Sequence, residues 1–265
     1  MPTGSLTVVG TGIAFGVHLT PQARRAIERA DEVFYLLAEH TAEAWFKRLN
    51  SSSQSLRRHY AVGRARRETY ERMVEEVLDA VRNGKNVCAA FYGHPGVFAS
   101  PSHEAVRRAR AEGFPATMQP AISAEDCLFA DLGVDPGESG CQSYEATDFL
   151  LRRRTFDTSV PLILWQVAFI GITNAPVAPN AHGFGVLVDY LLTFYADTHP
   201  AIVYQASPYP VGPANIGEFT VGNVRQAELD GMSTLYVPAA ADPPEDAEMR
   251  ARLAAPAIES SSESL

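Results

Sequence analysis

Phe91-Tyr92-Gly93-His94-Pro95-Gly96-Val97-Phe98 follows a short apolar run, Asn86 to Ala90, and precedes a helical pattern from Ser102 to Glu112. The order is strand, tight turn, helix. Gly93 and the pair Pro95-Gly96 supply the turn, because proline presets φ and glycine tolerates φ > 0. In an α/β sheet the loop after a strand's carboxyl end is where ligands bind, and a glycine there lets a ligand reach bare backbone. An ordinary strand-to-helix turn has the same pattern; the flanking aromatics Tyr92 and Phe98 favour a site.

Upstream the pattern is similar. Leu6-Thr7-Val8-Val9 is a buried-strand run ending in Gly10-Thr11-Gly12, and Thr20-Pro21 opens a helix as N-cap and N1. Glu32 to Leu37 is a second strand. This β-turn-α-β spacing predicts a nucleotide-type unit with a parallel sheet. Gly10, Gly12 and Gly16 are spaced one residue too widely for G-x-G-x-x-G, so a tight turn explains Gly10 and Gly12 better than direct phosphate contact. A short helix is expected over Ala42 to Leu49 and a polar loop over Ser51 to Gln54. From Arg57 to Arg72 the chain is basic (Arg57, Arg58, Arg64, Arg66, Arg67, Arg72). A long amphipathic helix follows, with Met73, Val74, Val77, Leu78 and Val81 on one stripe and a stop near Asn83-Gly84.

Past the loop, Ala116 to Gln119 is a short strand and Pro120 a hinge. Ser123-Ala124-Glu125-Asp126 is an N-cap pattern; such a helix start can hold an anion, although a cap alone accounts for it. Strands are expected at Pro161–Val167, Ala201–Gln205, Glu218–Val221 and Ser233–Val237, a loop over Asn174–Ala181, and a helix over Phe184–Tyr195. The expected organisation is α/β, with subdomains at 1–119 and 120–240 and a cleft between them. Residues 241–265 form an acidic tail that is expected to be largely disordered, with a short helix near Asp246 to Leu253.

Composition narrows the function. The chain has 265 residues, 46% of them hydrophobic, enough for a large core. No apolar run spans a membrane, and Met1-Pro2-Thr3-Gly4 lacks the start of a signal peptide. Cys88, Cys127 and Cys141 have no C-x-x-C spacing, which fits a reduced cytoplasm. The net charge of -9 argues against a nucleic-acid partner. No H-E-x-x-H, P-loop or G-x-S-x-G occurs, so a metalloprotease, a P-loop NTPase and an α/β-hydrolase are poorly supported. His94 is a possible general base, or a histidine that hydrogen-bonds its own turn. The remaining constellation is Tyr60, Arg66, Tyr70 and Tyr92. Arg66 and Tyr70 are four residues apart and share a helix face.

Taken together, the loop Tyr92 to Phe98, the run from Ile122 to Leu132 (Ile-Ser-Ala-Glu-Asp-Cys-Leu-Phe-Ala-Asp-Leu), Tyr144-Glu145-Ala146-Thr147-Asp148-Phe149, Leu164-Trp165-Gln166 and Arg66-Arg67-Glu68-Thr69-Tyr70 resemble the borosin peptide backbone α-N-methyltransferases. These are the omphalotin-type fungal enzymes and their split bacterial relatives, which have the tetrapyrrole methylase fold. The resemblance covers roughly Ser5 to Pro238. It implies S-adenosylmethionine as cofactor and a backbone amide nitrogen as methyl acceptor. Tyr92, His94, Val97, Phe98, Ser123, Ala124, Gln166, Ala206, Ser233 and Thr234 would surround the cofactor. Arg66 and Tyr70 match the family's catalytic pair and Tyr60 a further active-site tyrosine. It also implies a homodimer; a separate precursor peptide is expected as the substrate from the composition of the tail, and the chemistry needs no metal.

Two departures bear on the substrate. Arg57 stands where the fungal enzymes carry another tyrosine, three residues before Tyr60, at the outer edge of the substrate pocket. Ile13 and His94 replace the proline and aspartate of the broader tetrapyrrole methylases, which counts against a corrin or porphyrin substrate. A small-molecule C-methyltransferase and a non-catalytic binding module are the alternatives.

The chemistry fits those residue types. An amide lone pair is delocalised into its carbonyl, so the nitrogen is a poor nucleophile until its proton leaves. A fixed arginine favours a tyrosinate base and can face the oxyanion that forms. A Tyr70 in the first turn of its helix would add the positive end of the dipole. The 242–265 segment is interrupted by Pro243, Pro244 and Pro256, which have no N–H, and ends acidic and polar. It is therefore not expected to be the acceptor.

Overall fold

The computed structural model describes residues 3–14, 16–38, 41–174 and 178–254. The strands are β1 (Ser5–Gly10), β2 (Glu32–Leu36), β3 (Ser53–Ser55), β4 (Asn86–Phe91), β5 (Ala116–Met118), β6 (Gln142–Glu145), β7 (Leu162–Trp165), β8 (Pro200–Gln205), β9 (Asn215–Thr220) and β10 (Thr234–Val237). The helices are α1 (Pro21–Arg29), α2 (Thr41–Leu49), α3 (Arg66–Arg82), α4 (Ser100–Ala111), α5 (Ala124–Leu132), α6 (Pro136–Ser139), α7 (Ala146–Leu151), α8 (Ala181–Leu191) and α9 (Ala247–Leu253).

The first sheet has the order β3-β2-β4-β1-β5 and every pairing in it is parallel. Alternation along the strands gives each face its own core. Val9, Val33, Tyr35, Cys88 and Ala90 pack with Ala23 and Ile27 of α1 and Phe46 of α2. Leu6, Val8, Phe34, Val87 and Ala89 pack with Met73, Val77 and Leu78 of α3 and Ala105 and Ala109 of α4. The stripe read from the sequence is therefore the buried face of α3. Because α1 follows β1 and α4 follows β4, the connections leave these two adjacent strands toward opposite faces. The gap beyond their carboxyl ends is a topological switch point, the usual place for a ligand in such a sheet.

The second sheet, β6-β7-β10-β8-β9, is mixed: only the β6–β7 pairing is parallel. One face carries α7 and α8, with Phe149, Phe184 and Leu187 buried. The other carries α5, whose Leu128 meets Ile163, Tyr204 and Tyr236.

The local signals mostly end as expected. The Thr20 hydroxyl accepts from Ala23 N at 3.1 Å, and Ser123 with Asp126 forms a reciprocal capping box. Two expectations are corrected, and one pair of elements was not expected. Ser53–Ser55 is an edge strand and not loop, because its backbone pairs with Val33 to Tyr35 whatever its polarity. Gln142–Glu145 and Ala146–Leu151 are a strand and a helix that no pattern announced. The helix expected over Phe184–Tyr195 instead spans Ala181–Leu191, where Asn180 accepts from Gly183 N and sets its start. The helix near the tail is present as α9, whereas 255–265, and 175–177 of the expected loop, lie outside the described residues.

Candidate functional site

The loops after β1 and β4 are fastened to each other. Gly93 N donates to Gly12 O at 2.9 Å and Gly12 N to Gly93 O at 3.3 Å. Gly12 and Gly93 both have positive φ, 70° and 68°, which an L side chain seldom adopts. Neither Gly10 nor Gly12 lines the cavity described below; they serve as the tight turn. The Phe91–Phe98 loop is also held from its far side. The Ser102 hydroxyl donates to Pro95 O, and His103 Nε2 lies 2.9 Å from Gly96 O. His94 Nδ1 accepts from Gly96 N at 2.9 Å. The turn-stabilising reading of His94 is thus realised, and a neutral imidazole there carries its proton on Nε2.

A cavity of about 530 Å³ opens beyond the switch point. Tyr60, Arg66, Tyr70, Tyr92, His94, Val97, Phe98, Ser123, Ala124, Gln166, Ser233 and Thr234 all line it. Ala206 does not line it; it is half-buried against the Leu128–Tyr204–Tyr236 cluster. The cavity draws on both sheets: α3 and the β4 loop from one side, the start of α5, the end of β7 and the start of β10 from the other.

Arg66 joins the two sides. Its backbone N donates to Thr173 O at 2.9 Å and its Nη1 to Gln166 Oε1 at 3.3 Å. Arg66 is the first residue of α3 and Tyr70 the fifth. The expectation of Tyr70 in the first turn is therefore corrected: Arg66 occupies that turn, and the end of the dipole, concentrated there, lies nearest Arg66. Tyr60 and Tyr70 both pack on the core beneath α3.

The phenols are coupled. Burial, then the neighbouring Tyr70 and Tyr92, raises the Tyr60 pKa well above the usual tyrosine value, and its hydrogen bond to Tyr70 adds to this; the charge of Arg66 opposes it without prevailing. Tyr92 is raised as well, by its crowded surroundings and by Tyr70, with Arg57 and Arg66 opposing.

Two residues on the rim hold unfavourable backbone angles: Phe98 at φ 50° and Gln166 at φ 58°. Such angles cost about 1–3 kcal/mol for a non-glycine residue and concentrate at functional sites. Phe98 meets the indole of Trp165 at a centroid separation of 5.6 Å, and Trp165 is fixed by Nε1 donating to Ser143 Oγ at 2.7 Å. The Asp230 carboxylate accepts from Met232 N and from the Ser233 hydroxyl, shaping the turn Asp230–Ser233 at the edge of the cavity.

Five of the six arginines of the basic stretch fall into two groups, and Arg67 is exposed. Arg58 pairs with Glu76, and Arg64 and Arg72 with Glu68. Arg57 and Arg66 line the cavity instead. Residues lining it that went unnoticed as site residues include Leu36, Leu37, Ala38, Trp165, Phe169 and Met232. The rule that ligands lie beyond strand carboxyl ends pointed to Leu36–Ala38, and Trp165 lies inside a motif already quoted. Nothing local marked Phe169 or Met232.

A family model described as Tetrapyrrole (Corrin/Porphyrin) Methylases matches residues 5–209. The chain belongs to the tetrapyrrole methylase family. In keeping with this, the fold of this family member matches uroporphyrin-III-C-methyltransferase from Thermus thermophilus with a TM-score of 0.63 and 18% identity, over 89% of this chain and 92% of that one. It matches the methyltransferase CobJ at 0.63 and 16%, over 92% and 97%. Higher identity lies elsewhere. The methyltransferase/ribosomally synthesized cyclic peptide gymnopeptides precursor of Gymnopus fusipes is 43% identical over 89% of this chain and 57% of its own length. The corresponding omphalotin A precursor of Omphalotus olearius is 42% identical over 89% and 58%. A type III borosin cyclic peptide precursor of Anomoporia bombycina is 40% identical over 94% and 30%. The chain thus spans well under two thirds of the length of these fungal relatives, whose names join a methyltransferase to a peptide precursor.

Proposed function

We propose that this protein transfers methyl groups from S-adenosylmethionine to backbone amide nitrogens of a ribosomal peptide. The observation that carries the reading is the Tyr60–Tyr70–Arg66 cluster opening into the same cavity as the β4 loop. Its support is the likeness to relatives named as methyltransferase and cyclic-peptide precursor in one chain. The cavity suits the cofactor. Its volume is within the range of small-molecule sites; Tyr92, Val97 and Phe98 offer an apolar wall, and the start of α5 offers backbone N–H groups to an anionic group. The bound cofactor would supply an electrophilic methyl group on a sulfonium.

The chain's own residues would do the rest. Tyr70, as its phenolate, would take the proton of the acceptor amide nitrogen and so free its lone pair for methylation. Tyr60, kept protonated by burial, donates to the Tyr70 oxygen. Arg66 stays charged throughout and faces the oxygen of the imidate. Gln166 holds Arg66 in place through its Oε1.

The finer reading is that the acceptor is a separate polypeptide and that the enzyme works as a homodimer. Residues 242–265 are acidic, polar and interrupted by proline, which counts against that segment as the acceptor. Intact-mass analysis after expression without a candidate peptide should find 242–265 unmodified. Light scattering at micromolar concentration should find a dimer.

The deciding experiment incubates the protein with S-adenosylmethionine and a candidate peptide and locates the added mass by fragmentation. Methyl on backbone nitrogen is expected. Methyl on carbon, or on a small molecule only, would favour the tetrapyrrole-type alternative, and no transfer at all a binding module. Tyr70→Phe and Arg66→Ala should keep cofactor affinity by calorimetry and lose most single-turnover transfer; near-normal turnover in either removes that residue from the role.

A further inference from the structure

Among the described residues the cavity is lined by two arginines, and only Arg66 has a role in the reaction above. Arg57 lies in the short 3-10 turn Leu56–His59. Its Nη2 donates to Leu37 O at 2.7 Å and to Ala38 O at 3.1 Å, and both of those residues also line the cavity. One nitrogen therefore pins the group to the wall. A guanidinium has five N–H donors; the three on Nε and Nη1 meet no hydrogen-bond partner among the described residues.

The charge is also unanswered. Arg58, Arg64 and Arg72 each meet a carboxylate, whereas among the described residues no ion pair joins Arg57, Arg66 or the exposed Arg67 to an acid, and of these three Arg57 and Arg66 line the cavity. Among the described residues, Glu125 is the single carboxylate-bearing residue of the lining. In a chain of net charge -9, two uncompensated cations in one cavity do not follow from overall composition. Solvent alone could hydrate an arginine on an outer surface. Here the group is tethered to backbone on a cavity wall, close enough to favour the ionised phenol of Tyr92. A planar cation fixed through Nη2, with the N–H groups of Nε and Nη1 open, can hold a carboxylate oxygen by a charge-assisted hydrogen bond.

We propose that Arg57 is a specificity-determining residue that holds a carboxylate of the acceptor, either an acidic side chain or the terminal carboxylate near the methylated amide. This rests on the peptide-acceptor reading. It assigns the Arg57 edge of the cavity to substrate and leaves the cofactor to the β4 loop and α5.

The test is a competition assay with saturating S-adenosylmethionine and pairs of peptides identical but for one group. One pair has Glu against Gln at a position beside the methylated residue; the other has a free against an amidated C-terminus. Charge-assisted bonds favour the carboxylate peptide of one pair by about tenfold or more in kcat/KM, and the preferred pair identifies the source. Arg57→Gln and Arg57→Tyr should bring the ratio to about one, and Arg57→Lys should keep part of it. Because the ratio is internal to each variant, a loss of total activity from the broken Leu37 and Ala38 tether does not disturb it. Equal use of both members of each pair by the unmodified protein overturns the proposal while peptide methylation stands. So does an unchanged ratio in Arg57→Gln, or calorimetry in which that variant loses cofactor affinity, which would give Arg57 to the cofactor's own carboxylate. If no peptide is methylated at all, the peptide reading fails and this inference falls with it.

Discussion

Gly10→Ala tests whether the two glycine turns hold the β4 loop in place. A methyl group at Gly10 would lie 2.2 Å from Gly93 O, 2.5 Å from Ala121 Cβ and 2.7 Å from Pro95 Cδ. A backbone oxygen, a Cβ and a proline ring carbon have no rotamer to escape into, so the chain itself must shift. Restoring ordinary contact of about 3.5 Å moves the Gly93–Pro95 segment by roughly 1 Å. Overpacking of this kind costs about 1–3 kcal/mol, which for a chain of this size lowers Tm by roughly 2–12 °C. The same loop carries Tyr92, His94 and Val97 into the cavity, and a misplacement of about 1 Å costs on the order of a hundredfold in rate. Gly63→Ala is the control. Gly63 also has positive φ, 77°, but a methyl group there meets nothing within 4 Å, so it carries only the backbone cost of about 1 kcal/mol. Thermal unfolding, calorimetry with S-adenosylmethionine and a single-turnover assay compare the two. If Gly10→Ala matches Gly63→Ala in all three, the docked-turn argument is wrong.

Tyr60→Phe removes the donor to Tyr70 and should lower kcat by about tenfold with cofactor affinity unchanged; the pH profile of the unmodified protein should show no Tyr60 ionisation below pH 10, since burial raises that phenol. Cys88, buried between the first sheet and α1, has its thiol pushed up to about 12 by desolvation. A folded pKa above the unfolded one means that the native state holds the extra proton, so its contribution to stability is full below about pH 9 and is lost as pH rises toward 12, by about 1.4 kcal/mol per pH unit. Urea unfolding of Cys88→Ala should therefore fall less steeply than that of the unmodified protein over this window, and parallel curves would refute the assignment. In a Trp45→Phe background Trp165 is the remaining indole, and because it stacks near Phe98 at the cavity its fluorescence should respond to S-adenosylmethionine; a silent titration alongside calorimetric binding would move the cofactor away from that wall.

Much of the site was legible because its signals are local. A glycine turn at a strand end, a capping serine and an i, i+4 pair each carry their geometry within a few residues. That is why the β1 and β4 loops, Ser123 and the Arg66–Tyr70 pair were found, and why the apolar stripe identified the buried face of α3. Where a residue's environment is built by distant chain, the sequence carried no such signal. Ser53–Ser55 became a strand only because β2 offered it a ladder, and Phe169 and Met232 reach the cavity only through the folding of the second sheet.

The basic segment shows the division most clearly. Six arginines from Arg57 to Arg72 read alike in the sequence. Helical geometry and nearby acids then pair Arg58, Arg64 and Arg72 with Glu76 and Glu68. Arg57 is instead drawn to the carbonyls at the end of β2, and Arg66 to Gln166, a hundred residues away. The sequence by itself determined the parallel βαβ unit and its turns, because these follow from periodicity and backbone preference, while the residues of the site were implied by the family resemblance. Only the tertiary structure decided which side chains share a cavity, that Ala206 is not among them, and that Phe98 and Gln166 hold strained angles, because burial and charge compensation depend on what packs across space.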